Sequence, residues 1–413
     1  MVLTRKERVL KSLNFECPDQ LSKDLGGMAS TGISCFAYPG LVKALGLPER
    51  LPKVFDIGQM LALPDADVLD ALDCDVVMVN TDRFTNAFEE PEKWKPFDFG
   101  GRLPALVRDP AIFTTEPDGT LHHTGGADGV VYTMPPSSFV FDEEHGGQPL
   151  DLGGELPKKD LDEVAQQLRE YTLTEANVSS IAQYCRKARE ATDRAIFLNG
   201  LQAAFGFHGG IATWSMLCLL EKEYVHAVHE LLTAHYIEQI EALLPSIQQD
   251  VDIIMLSADD QGAQDRTFLR PNVFRELYVP YYQRINRAIH QIAPHVKTFL
   301  HSCGAIYTIL DDIIDTEFDI LNPVQWSAGK HSYQNWKDAC RGRIALWGGG
   351  VDSQHLLPFG TVAEVAEQAK TVTAYLSRDS GYVFNSIHNI LAEIDPEKVI
   401  AMYKAAGNVK LRG

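Results

Sequence analysis

"VKTFLHSCGAIYTIL", residues 296–310, runs from an apolar segment through His-Ser-Cys-Gly into a helical pattern. Strand, turn and helix in that order form the repeating unit of a parallel α/β fold. The same rhythm recurs through the C-terminal half, in "RAIFLNG" (194–200), "VDIIMLSADD" (251–260), "FDILNPVQ" (318–325), "RIALWGGG" (343–350) and "GYVFNSI" (381–387). Between these runs lie amphipathic stretches such as "PNVFRELYVPYYQRINRAIHQIA" and "TVAEVAEQAKTVTAYLSR". Right-handed crossovers would pair the strands in parallel. Two earlier runs, "LSKDLGG" (21–27) and "CDVVMVN" (74–80), bring the strand count to eight, the number that closes a TIM-like (β/α)8 barrel. Polar and glycine-rich residues follow the strands, at the end where such barrels build their sites. An open doubly wound sheet is the alternative, but no GxGxxG follows an early strand.

Residues 84–150 break the rhythm with glycine, proline and aromatics, and "PDGT" reads as a tight hairpin turn. The expectation is a single domain over 1–413, with 84–150 as a β-rich insertion after the second strand. The 413 residues are 45% hydrophobic and 23% charged, which supplies ample core for one elaborated domain. A net charge of −19 argues against nucleic-acid or anionic-membrane partners. It does not exclude an anionic small substrate, because a local Arg or Lys cluster outweighs a distant field. Seven scattered cysteines do not form a disulfide scaffold. The opening "MVLTRKERVLKSLNFE" carries Thr4 and Glu7 at capping-box spacing and no signal-peptide core, so a cytoplasmic location is expected.

His301 and Cys303 are two apart, on one side of an extended strand, and both are zinc-ligand types. The pair alone is only half a metal site, and a buried cysteine beside a hydrogen-bonded histidine is the commoner reading of it. His388, just past the last expected strand, is the candidate third ligand; a substrate contact or helix cap is the other reading. Three ligands with a fourth position open describe a catalytic zinc. Asp259 and Asp260 end another strand as candidate catalytic carboxylates, able to hold a proton or support a ligand. The alternative has one of them capping the turn while only the other faces the cavity. Asn322, Gln325 and Asp352 are candidate substrate contacts. Cys340 ends a helix away from the strand tips, and the histidines of "LHH" (121–123) and "FHGG" (207–210) lack partners at ligand spacing.

The segments "HSCG", "DILNPVQ", "LWGGGVDSQHLLPFGT" and "YVFNSIHNI", with the opening "TRKERVLKSLNFECPDQLSKDLGG", resemble the uroporphyrinogen decarboxylase superfamily, closest to its methyltransferase-like branch. The resemblance implies a TIM-like barrel. It also implies either cofactor-free decarboxylation of uroporphyrinogen or zinc-dependent methyl transfer between a methylated corrinoid and a thiol. The decarboxylases carry an arginine-rich stretch after the first strand, whereas "DLGGMASTGISCFAYPGL" has no arginine. Several buried carboxylates would be uncompensated there. The methyltransferases bind zinc through His-x-Cys and a later cysteine. His301 and Cys303 match the first two, and His388 stands where that cysteine is expected. The expectation is therefore a zinc-dependent methyltransferase working with a corrinoid (cobalamin) protein, with a decarboxylase or lyase of a small non-porphyrin acid as the alternative.

Overall fold

Seven parallel strands stand side by side in chain order: β1 Val76–Asn80, β2 Ala195–Asn199, β3 Ile253–Ala258, β4 Lys297–His301, β5 Ile320–Asn322, β6 Ala345–Trp347 and β7 Tyr382–Val383. The computed structural model describes residues 2–81, 84–88, 91–124, 130–142 and 156–411. The eighth place is taken by residues 22–24. Lys23 bridges Phe384 in parallel, the Phe384 amide donates to Ser22 O and the Asp24 amide to Phe384 O. On the other side the Asp75 amide donates to Lys23 O, just below β1. The expected first strand is thus cut to one bridge, because Gly26 turns the chain away at φ +77°. The result is an α/β fold with a curled sheet closed into a TIM-like barrel. A two-residue strand, Thr85–Asn86, adds antiparallel pairing at the end of β1.

The alternation of side chains along each strand sorts the interior by height. Val76, Phe197, Ile253, Phe299, Ile320, Ala345 and Val383 meet in one buried cluster with Met255 and Trp347. The Phe197, Phe299 and Trp347 rings pack at centroid distances of 4.7–5.6 Å. The helix Arg5–Leu13 closes the lower end with Val9 and Leu13. Its capping box forms as expected, with the Thr4 amide donating to Glu7 and the Glu7 amide to Thr4 Oγ1. Below, the barrel is a packed core, so chemistry is confined to the opposite face. Two residues beyond Phe299 and Ile320 on the same inward side come His301 and Asn322, where the lining turns polar.

Between β1 and β2 the chain forms small antiparallel pairs: Lys95–Asp98 with Pro104–Val107, then Phe113–Thr115, Leu121–His123 and Tyr132–Met134. The "PDGT" turn forms, with Glu116 and Thr120 paired through the backbone and Gly119 at φ +90°. Within 84–150, residues 89–90, 125–129 and 143–150 lie outside the described residues. Outer helices such as Lys222–Ile247, Val279–Ile292, Val362–Leu376 and Pro396–Gly407 each bury one face against the sheet and its neighbours. Among the described residues, no helix is long and apolar enough to cross a membrane.

Candidate metal centre

His301 is the last residue of β4, level with Ala258 of β3 and Asn322 of β5. The following turn is held from both sides. The Ser302 amide donates to Asn322 O at 2.7 Å, the Cys303 amide to Asp260 Oδ1 at 2.6 Å and the Gly304 amide to Gln325 Oε1 at 2.8 Å. Gly304 lies at φ +96°, and a Cβ there would overlap the backbone of Gly262. Glycine is therefore what lets the two loops touch and what sends Cys303 back over His301. Cys303 Sγ lies 3.1 Å from His301 Nε2.

His388 arrives from the far side of the barrel. Its neighbours are tied to the wall: the Ile387 amide donates to Val351 O, and Asn389 Oδ1 accepts from the Gly32 amide at 2.8 Å. Ile390 exchanges backbone hydrogen bonds with Gly32 and Ser34. The His388 ring is thereby aimed inward, with its centroid 5.8 Å from that of His301. Among the described residues its ring nitrogens have no hydrogen-bond partner. The donor atoms of His301, Cys303 and His388 all lie within 4.8 Å of one another, a group able to hold a metal ion.

The tautomer of His301 follows from its neighbour. Asn322 Nδ2 donates to Trp347 O at 2.9 Å, which leaves Oδ1 to accept from His301 Nδ1–H at 2.6 Å. The lone pair is then on Nε2, facing Cys303, with Ser30 Oγ at 3.3 Å. Burial pushes both histidines toward the neutral form a ligand needs, and His388 falls to about 4. Burial, and then the charge of Asp260, push the Cys303 thiol up. A bound cation would reverse that bias.

The remaining candidates divide. Asp260 stands beside the trio, its Oδ1 3.7 Å from His301 Nε2. Asp259 is fully engaged elsewhere. It accepts from the Phe205 and Gly206 amides at 2.7 and 2.8 Å, from Ser257 Oγ at 3.0 Å and from the Tyr282 hydroxyl, so it fastens the loop after β2. Asp352 caps the turn at 353–355, accepting from the Gln354 amide at 2.9 Å and bonding His355 Nδ1 at 3.0 Å. Gln325 lines the cavity, while Asn322 acts behind His301. Cys340 is buried at the end of the helix Tyr333–Cys340 and is not among the donors. His122 is engaged by Thr133 and Glu116, and His208 packs on Trp214. Ser30 escaped individual notice in the sequence, although its segment promised hydroxyls. Glu393, at the rim of the cavity, left no sequence signal at all.

Residues 165–409, more than half of the chain, match the uroporphyrinogen decarboxylase (URO-D) family. The chain belongs to that family. A uroporphyrinogen decarboxylase of Chlorobium limicola is 28% identical over 175 residues, 41% of this chain and 43% of that protein. The match thus spans less than half the length of that relative. Among solved structures, a methyltransferase from Methanosarcina mazei superposes with a TM-score of 0.53 at 15% identity, covering 98% of both chains. At that identity the likeness concerns the fold. The URO-D fold is therefore supported by sequence and by shape together.

Proposed function

We propose that this URO-D family protein is a zinc-dependent methyltransferase, moving a methyl group between a small methylated compound or thiol and a corrinoid protein. The observation that carries the reading is the trio His301, Cys303 and His388, with the Nε2 lone pair of His301 fixed by Asn322. Two imidazoles and a thiolate are a zinc-type donor set, and three donors leave a position open. When bound, zinc lowers the pKa of a thiol so that it is held as a nucleophile. The chain's own part is to hold and orient. Asn322 keeps the ring of His301 from rotating, and Asp260 anchors the backbone of Cys303 while placing a negative charge beside the site. Asp259 positions the loop after β2.

A cavity of about 810 Å³ opens on Cys303 and His388. Its rim carries Phe359 and Leu391, 85% and 50% exposed, an apolar surface on which the corrinoid protein would dock. We read 1–413 as a single barrel domain in which 84–150 is an insertion flanking this mouth; Ser137–Val140 wall the adjoining cavity. The methyltransferase of similar shape agrees with this reading.

The test is metal analysis of protein purified without chelator, followed by a methylcobalamin absorbance assay with candidate thiols. Stoichiometric zinc is expected in the wild type and lost in Cys303→Ala and His388→Ala. Thiol-dependent loss of the methylcobalamin spectrum is expected only in the loaded protein. Wild-type protein that neither carries zinc nor takes it up refutes the reading.

A further inference from the structure

The cavity at Cys303 and His388 adjoins a second one of about 380 Å³, and the two share His388, Asn389, Leu391 and Glu393. Among the described residues, no lysine or arginine lines either cavity. The polar walls are amides and hydroxyls, and Glu393 is the carboxylate common to both. Arg102 reaches this region over the rings of Phe36 and Phe139, but its guanidinium donates to the carbonyls of Pro135 and Ser138. The local cation cluster that would offset a net charge of −19 is absent from the described lining.

We propose that the compound bound here carries no anionic group beyond the atom that meets the metal, its tail being uncharged or cationic, and that Glu393 is a specificity-determining residue. This deepens the methyl-transfer reading and rests on it. Away from the metal position, a carboxylate, sulfonate or phosphate at the tail would shed water without meeting a lysine or arginine among the described lining residues. It would also stand near Glu393 and Asp260, whose charges repel it through a medium less screening than bulk water. An ammonium group meets the opposite field, and a hydroxyl or ether meets the amides. Uncharged thiols, cationic thiols, methylamines and neutral methoxy compounds are the classes that fit.

Three thiols of equal length separate the possibilities: 2-aminoethanethiol, 2-mercaptoethanol and 2-mercaptoethanesulfonate. Each would be titrated into cobalt(II)-substituted protein at low ionic strength, and the added thiolate-to-cobalt absorption read directly, with the thiol proton passing to buffer. The expected affinity order is cation, then alcohol, then sulfonate, spanning on the order of tenfold and narrowing with salt. Glu393→Gln should shrink the cation-to-sulfonate ratio several-fold, and Glu393→Lys should invert it; comparing ratios between variants cancels the intrinsic acidities of the thiols. Tightest binding of the sulfonate by the wild type, or a ratio unmoved by both substitutions, overturns the inference and leaves the methyl-transfer reading standing. No spectral response to any of the three thiols overturns both the inference and the thiol-acceptor form of the methyl-transfer reading.

Discussion

Replacing Asn322 with alanine removes the oxygen that fixes the ring of His301 and the amide that satisfies the carbonyl of Trp347. Both bonds are buried, at 2.6 and 2.9 Å, and Asn322 itself is fully enclosed. Freed of its acceptor, the imidazole can take the other tautomer or rotate, and Nε2 no longer stands ready for a cation. Loss of such an outer hydrogen bond lowers metal affinity roughly 10–100-fold, about 1.4–2.8 kcal/mol. The metal-free protein should also lose about 1–3 kcal/mol for each buried group left unpaired. Asn322→Asp separates the two effects, because it keeps an oxygen opposite Nδ1 and gives up the amide. Its zinc affinity should stay near that of the wild type, whether or not the apo-protein is destabilised. Competition against a chromophoric chelator gives the affinities, and urea unfolding in chelator gives the stabilities. Wild-type affinity in Asn322→Ala would refute the argument, as would equal losses in the alanine and aspartate variants.

Gly304→Ala should cost about 3 kcal/mol or more, since it combines a left-handed backbone with overlap against Gly262. Gly342→Ala, at φ +67° in open space, should cost only about 1–2 kcal/mol in the same urea series; equal costs would contradict the close-approach argument. In the metal-free protein, burial holds His388 at about 4 and His229 at about 3, while an unfolded chain binds those protons near 6.5. Each histidine's contribution is therefore complete above about pH 6.5 and falls as the pH drops toward 4, by about 1.4 kcal/mol per unit. The buried carboxyls of Asp24 and Asp75, raised by burial to about 6, act in the opposite direction below about pH 6. Urea midpoints in chelator whose pH slope from about pH 7 to 5 is the same in the wild type and in His388→Gln would count against the His388 contribution.

The parallel barrel was legible because its strands alternate cleanly with helices and each ends on polar residues. The His-x-Cys pair was legible for a local reason: two residues in one extended run share a side. His388 required the added premise of closure, which brings the last strand back to the first. What the sequence hid were matters of engagement. Asp259 and Asp260 look alike in "SADDQG", yet one is consumed by four donors and the other faces the donors of the site. Asn322 read as a cavity contact, whereas its two hydrogen bonds turn it to the back of His301. Asp352 read the same way and caps a turn. The first strand was overestimated because "DLGG" has strand-like neighbours, but Gly26 bends the chain out after a single bridge.

The seam between Lys23 and Phe384 has a consequence for the order in which the molecule is made. His388 lies four residues past that bridge, on the segment whose pairing with residues 22–34 shuts the barrel. A nascent chain that has reached β6 already owns His301 and Cys303, but it has neither a closed wall nor a third donor. The full donor set arises only when the segment after β7 pairs with residues 22–34, so a chain cut before His388 keeps a two-donor half-site. Possession of three donors is thus a property of the closed barrel, and metal retention would serve as a readout of closure.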